Sequence, residues 1–249
     1  MDIGKIENKL LTLIKNKGTI CLALIDSENI NSKNSANISK KAEKLGIKAI
    51  LVGGSTAIDQ IELDKIIKSI KKSVKIPVIL FPSNVTGISP NADAILFSSL
   101  LNSENPYYII QAQALGAILI KKYNLEAIPM AYLVIDHGGT IGYIGQARGI
   151  PSNKPEIAIM YALAAQYLGM RFLYLEAGSG VTSQISPNIL KAVRKYYQGT
   201  IIVGGGITNA KSAKLLSKSG ANILVIGNLL EKNNFEIDLK KIITALKNK

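Results

Sequence analysis

The chain has no tryptophan, one cysteine, one histidine and few acidic residues, and each shortage closes off a class of chemistry. Aromatic residues make up 6% of its 249 residues, too few to build a platform on which nucleobases could stack. Nucleic acid is therefore not expected as a partner. The lone Cys21 cannot form an internal disulfide, and with the lone His137 it makes no His/Cys cluster for zinc. Cys21 sits in the apolar run TICLALID and reads as a small buried hydrophobe. His137 reads as a solvated or substrate-adjacent loop residue. No run of about 18 uncharged apolar residues occurs, which argues against a membrane-spanning helix. The opening MDIGKIENKL lacks signal-peptide organisation, and a soluble, cytoplasmic protein is expected. Thirty Lys and Arg face seventeen Asp and Glu, a formal net charge of +13. The lysines are spread along helical patterns such as KIIKSIKKSVK (Lys65 to Lys75), so most read as solvated helix faces. Attraction to anionic substrates and a transient contact with a membrane surface are secondary expectations.

Glycine, by contrast, is concentrated where it can act. Three segments near the C-terminus each end an apolar run in glycine: FLYLEAGSG (Phe172 to Gly180), TIIVGGGI (Thr200 to Ile207) and NILVIGN (Asn222 to Asn228). Each run has the length and the β-branched or aromatic content of a buried parallel strand. Glycine at a strand's C-terminal end lets the backbone approach a ligand and leaves amide N–H groups free. A following helix N-terminus adds partial positive charge, so such loops attract phosphate. Two of them on the last strands of an eightfold βα chain make the phosphate site of a (β/α)₈, or TIM, barrel.

The rest of the chain fits eight βα units in one domain, residues 1–249. Strands are predicted at Thr19 to Asp26, Lys48 to Ser55, Pro77 to Pro82, Ala94 to Leu101, Ala127 to Asp136, Arg171 to Glu176, Thr200 to Val203 and Asn222 to Ile226. Helical periodicity predicts helices between them, with one exception. Between the third and fourth strands lies only SNVTGISPNAD (Ser83 to Asp93), which carries Gly and Pro breakers and no helical period. A parallel crossover normally needs a dozen or more residues with a helix. The third crossover helix is therefore expected to be absent or replaced by an extended segment. That leaves an uncovered apolar slot on the outer wall, rimmed by Val85, Ile88, Leu96 and Leu100, unless a packed loop fills it. A helix at Pro106 to Tyr123, capped by Asn105, stands beside it. The strand-5 loop, HGGTIGYIGQARGIPSNK, has the length of a lid or binding loop.

Barrel chemistry sits at strand C-termini, where the polar residues are Asp26, Ser55, Asp136, Tyr174 and Glu176. Asp26 closes an apolar strand and needs a partner for its charge; Mg²⁺ is one, a helix cap or salt bridge another. The period of two puts Tyr174 and Glu176 on one face and Leu175 on the other. That pair suits the hydroxyls of a polyol phosphate, and Glu176 could accept a proton.

These residues resemble the geranylgeranylglyceryl phosphate synthase family, whose relatives include the bacterial heptaprenylglyceryl phosphate synthases. The likeness rests on LID near the N-terminus, LVGGST on strand 2, LYLEAGSG, VGGGI and IGN, and runs over nearly the whole chain. It implies a modified TIM barrel with an extended segment in place of helix 3, and transfer of a polyprenyl group to sn-glycerol 1-phosphate through an ether bond. It further implies Mg²⁺ at Asp26 and Ser55, with Asp26, Tyr174 and Glu176 as catalytic positions. Glycerol phosphate would lie on Tyr174, Leu175, Glu176, Ala177, Gly178, Ser179, Gly180, Gly205, Gly206, Gly227 and Asn228. The prenyl chain, expected to be geranylgeranyl, would run past Val85, Leu96, Leu100, Tyr108 and Ala112. Members of the family are dimers and hexamers, so a homo-oligomer is expected. The chain departs from the family pattern at IDHGGTIGYIG on strand 5 and at NPYYIIQAQ on helix 4. Two rival readings remain at this point: a barrel of the histidine-biosynthesis isomerase or cyclase type, using Asp26 and Asp136, and a non-catalytic phosphate-binding scaffold.

Overall fold

The computed structural model describes residues 2–54, 59–178 and 184–247. Eight parallel strands close on themselves in sequence order: β1 (Ile20–Asp26), β2 (Ile50–Gly53), β3 (Val78–Leu80), β4 (Ala94–Leu100), β5 (Glu126–Gly138), β6 (Phe172–Gly178), β7 (Thr200–Gly204) and β8 (Ile223–Ile226). β1 pairs with both β2 and β8, which completes the barrel. The alternation of side chains along each strand sorts the apolar residues into two cores. Ile20, Leu22, Leu51, Ile79, Leu96, Phe172 and Ile223 fill the interior, while Cys21, Ile25, Ile50, Leu80, Ile95, Leu173 and Leu224 face the surrounding helices.

Nine helices accompany the strands in the described residues: α1 (Lys5–Lys17), α2 (Ser32–Leu45), α3 (Gln60–Ser73), α4 (Ala112–Lys122), α5 (Gly139–Ile144), α6 (Pro155–Tyr167), α7 (Pro187–Tyr196), α8 (Ala210–Lys218) and α9 (Phe235–Lys247). Their starts follow ordinary capping chemistry. Asn31, Asp59, Ser186 and Asn209 each accept a backbone N–H of the first turn with their side chains. None of these helices is long and apolar enough to cross a membrane.

α1 is a finding that the sequence patterns did not anticipate. It stoppers the N-terminal end of the barrel, with Leu10 buried in the interior core and Ile6, Leu13 and Ile14 packed against it. The Glu126 carboxylate accepts the Ile6 and Glu7 amides, each at 2.7 Å, so an anion caps the helix's positive end. Glu7 itself is fully buried and takes a fork of bonds from Arg171, Nε at 2.5 Å and Nη2 at 2.7 Å.

The segment between β3 and β4 contains a single 3₁₀ turn, Val85–Gly87, and no helix. Its ends are pinned: Gln60 Nε2 donates to Ile88 O at 2.9 Å, Ser89 bonds to Asp64, and Asp93 accepts the Val78 amide at 2.8 Å. β3 pairs with β4 only at Ile79–Ala94 and Leu80–Ile95, whereas β4 pairs with β5 along its whole length to Leu100–Tyr132. Above Ile95 the barrel wall is open on that side.

Two further differences from the sequence reading have local causes. The start of the fourth crossover helix, Tyr107–Gln111, is a π-helical turn before α4. It is held by Tyr107 Oη donating to Asn84 (2.6 Å), Ser99 Oγ donating to Ile109 O (2.5 Å) and Gln113 Nε2 donating to Ser98 O (2.5 Å). The long glycine-rich loop after strand 5 folds in part into α5 and returns across β5 through buried Asn102. Asn102 donates to Val134 O and Arg148 O, both at 2.9 Å, and accepts the Val134 amide at 3.1 Å.

The Glu7–Arg171 pair gives the fold a direct test. Arg171→Ala leaves a buried carboxylate without its partner, which destabilises by about 3 kcal/mol. Chemical denaturation should show that loss, and an unchanged midpoint would mean that α1 is held by its apolar face alone.

Candidate active site

Glu176 lies at the centre of the barrel's C-terminal mouth, on the inward face of β6, with the residue 7% exposed. Two donors converge on its carboxylate, the Gly178 amide at 2.6 Å from Oε1 and Tyr132 Oη at 3.0 Å from Oε2, and the Tyr174 hydroxyl stands close enough to favour its charged form. Burial raises the Glu176 pKa above the ordinary carboxylate range, and these donors pull back only part of that rise. The two phenols are pushed well above their usual pKa by burial and by the neighbouring carboxylate, so they act as neutral donors. Phe81, Tyr132 and Tyr174 form a ring cluster beneath the mouth, with centroids 5.0–5.5 Å apart.

Tyr174 is 1% exposed and sits under Glu176, not beside it on the open face. Leu175 points outward into the helix layer, as the period of two requires, so only its backbone belongs to the inner wall. Ala177 packs against that outer core as well. The position where a side chain on Gly204 would stand is filled by the Tyr174 ring and hydroxyl. Gly205 and Gly206 have φ of +85° and +69°, conformations that a branched residue adopts only under strain. A Cβ on Gly205 would lie 2.8 Å from Gly178 O and 2.9 Å from Glu176 Oε1. Gly204 and Gly205 thus bring the end of β7 against β6. At Gly227 the space beside the backbone is open, the nearest atom to a Cβ being Leu24 Cδ2 at 3.8 Å. Asn228 opens the 3₁₀ turn Asn228–Glu231 there. Gly227 and Asn228 line the same cleft as Glu176. Ser55, Ser179 and Gly180, which the sequence also singled out, lie outside the described residues.

Asp26 ends β1 at the same mouth. Its Oδ1 accepts the Glu28 amide and its Oδ2 accepts Asn29 Nδ2, each at 3.0 Å. Glu231, which lines the cleft beside it, has its pKa raised by burial and by the Asp26 charge. Negative field therefore gathers here in a strongly basic protein, a setting that favours a cation. No group of three or more His, Cys, Asp or Glu side chains among the described residues could by itself hold a metal. The residues fit an ion taken by one or two carboxylates with its remaining oxygens from ligand and water, which is how Mg²⁺ is commonly bound.

From this mouth a cleft runs out through the open wall between β3 and β4. It passes Phe81 and Pro82, then Val85 and Ile88 on one side and Tyr108, Ala112, Gly116 and Ile120 on the other. Leu96 and Leu100 line it from the barrel interior, while the outward strand faces are Ile95 and Phe97. The slot expected on the outer wall is thus a passage joining inside to outside.

Other sequence candidates stand apart. Asp136, at φ +54°, is exposed and accepts the Ser152 amide at 2.8 Å; His137 beside it is also exposed. Strand 5 contributes Tyr132 to the cleft instead. Burial pushes the Cys21 thiol up to about 12, so it is inert. Phe81, Tyr132, Gly204 and Glu231 are site residues that the sequence patterns did not isolate.

Fold and cleft together define a (β/α)₈ barrel with a polar mouth that opens into an apolar groove. The chain belongs to the PcrB family, which it matches over residues 12–246. It is 56% identical over 243 residues to geranylgeranylglyceryl phosphate synthase of Nitrosopumilus maritimus, covering 98% of this chain and 97% of that protein. It is 51% identical over 244 residues to the synthase of Cenarchaeum symbiosum, covering 98% and 99%. The crystal structure of (S)-3-O-geranylgeranylglyceryl phosphate synthase from Thermoplasma acidophilum, solved with substrate sn-glycerol-1-phosphate, superposes with a TM-score of 0.95. That match covers 100% of both chains at 39% identity.

The raised pKa of Glu176 carries a stability signature. Its folded-state value lies above the unfolded one, so the wild type loses stability as pH rises from about 4.5 through the raised value. Glu176→Gln is blind to this titration. Its melting temperature should exceed the wild type's at neutral pH, with the gap closing as pH falls toward 4.5. A gap that does not vary with pH would show that the carboxylate is not strained by burial.

Proposed function

We propose that the chain joins sn-glycerol 1-phosphate to geranylgeranyl diphosphate through an ether bond, releasing diphosphate. The observation that carries this reading is one continuous cleft, polar at the barrel mouth around Glu176 and apolar where it leaves through the open wall. The family membership and the glycerol phosphate complex of the Thermoplasma acidophilum protein support it. Glycerol phosphate sits with its phosphate on the backbone of Gly205, Gly206, Gly227 and Asn228. Glu176 binds its hydroxyl and takes the proton as the oxygen attacks the allylic carbon; the raised pKa makes this carboxylate a stronger base than an exposed one. Phe81 and Tyr132, which line the same stretch, present aromatic surface to that carbon as it becomes cationic.

Asp26, with Glu231 nearby and Ser55 beyond the described residues, holds Mg²⁺. When bound, the ion neutralises charge on the departing diphosphate. The exposed apolar residues Leu115 and Ile118 on α4, and Met160 and Tyr167 on α6 with Leu168 just after it, support a reading in which copies of the chain associate. The enzyme works in the cytoplasm and meets its lipid donor at the membrane surface. The isomerase or cyclase reading required acids at the ends of strands 1 and 5, and Asp136 is turned away from the cleft.

Purified protein, supplied with glycerol 1-phosphate, geranylgeranyl diphosphate and Mg²⁺, should form the ether product, and a chelator should abolish turnover. Protein that binds glycerol phosphate without turnover would mark a scaffold. Asp26→Asn should lower kcat by about 100-fold with little recovery in added Mg²⁺. Near-wild-type activity in that variant at low Mg²⁺ would place the ion elsewhere. Gly206→Val should raise the KM for glycerol phosphate by about 10- to 100-fold, the worth of a charge-assisted hydrogen bond. An unchanged KM in the folded variant would remove the phosphate from this loop.

A further inference from the structure

A second open space meets the cleft at the barrel mouth. It is a furrow between α2 and the connection from β8 to α9, and Leu24, Asp26 and Glu231 line both spaces. Asp26 therefore stands on the partition between them. Its Oδ2 accepts Asn29 Nδ2 at 3.0 Å, and Asn29 lines the furrow alone. One wall is the part of α2 carrying Asn34, Asn37, Ile38 and Lys41, the i, i+3, i+4, i+7 spacing of a single helix face. The other wall is the run Lys232, Asn233 and Asn234, in which Asn234 turns the chain into α9 with φ +62°. Buried Leu230 and Phe235 lie beneath.

The charges differ between the two ends. Asp26 and Glu231 lie where furrow and cleft meet. Away from them, Lys41 is neutralised by Glu236 at 2.5 Å and lies over the Phe235 ring. Lys232 and the side-chain amides of Asn37 and Asn233 have no partner among the described residues. An anion moving outward thus leaves two carboxylates behind and gains a free ammonium and amide donors.

That polarity suits a leaving group. With glycerol phosphate on the β7 and β8 loops and the prenyl chain in the open wall, the ether product fills the cleft from end to end. The diphosphate it leaves is enclosed between product and Asp26, and the furrow opens on that side. We propose that the furrow is a binding site and exit channel for inorganic diphosphate, which departs past Asn37 and Lys232 while the ether product still fills the cleft. This rests on the function proposed above.

The test loads the enzyme with its own ether product and measures binding of inorganic diphosphate with Mg²⁺ by equilibrium dialysis. Product-loaded wild type should still bind diphosphate. Asn37→Trp, which fills the furrow, and Lys232→Glu, which reverses its free charge, should each weaken that binding by about 10-fold. Both positions are exposed, and either variant alone is a sufficient test if the other fails to fold. The KM for glycerol phosphate and the single-turnover rate of ether formation should stay at wild-type values, which separates the furrow from the chemical centre. Exclusion of diphosphate from the product-loaded wild type, wild-type binding in either folded variant, or a lost single-turnover rate overturns the proposal. If the wild type forms no ether product from any donor, the function proposed above is what fails.

Discussion

A closed parallel barrel must cover the outer face of every strand, and in this chain one crossover does not supply its helix. Most of what distinguishes the molecule follows from that. With only a 3₁₀ turn between them, β3 and β4 separate after two residue pairs. The upper half of β4 then needs other partners, and the π-helical turn with Gln113 and Ser99 supplies them. Inner and outer cores, which are sealed from each other elsewhere in the barrel, meet in one apolar passage. The same departure that weakens the wall makes room for a long apolar ligand.

At the mouth the governing term is desolvation. Glu176 is buried among phenols whose own ionisation burial forbids, so they can only donate to it. A carboxylate so placed is destabilising in the folded protein and useful as a base, a combination expected of functional groups. Glycine at 204 and 205 allows β7 to approach this layer closely, with the Tyr174 ring and the Glu176 carboxylate standing where side chains would be.

Much of this was legible in the residues. The eight apolar runs, their glycine ends and the missing helix at Ser83 to Asp93 are local signals, and local signals survive into the fold. The phase of a strand is harder to read. Strands buried on both faces carry no polar face to mark which residues point inward, so Leu96 and Leu100 were placed on the outer wall and Tyr132 passed unnoticed in an apolar run. Glu176 was visible because a charge in such a run is an anomaly. The π turn depends on Asn84, Ser99 and Gln113 meeting in space, and α1 depends on a barrel floor that exists only once the strands have closed.

The stopper at the barrel's base also has a bearing on how the molecule comes to be built. α1 leaves the ribosome ahead of the other helices described, yet the groups that secure it, Glu126 and Arg171, follow Ile6 and Glu7 by 120 and 164 residues. Its contacts are among the longest-range in the protein, and such pairings form late because the intervening loop must first be closed. Through most of synthesis α1 is an amphipathic segment with its apolar stripe of Ile6, Leu10, Leu13 and Ile14 uncovered. Its docking must wait for β5 and β6, so this end of the chain settles late although it is made early.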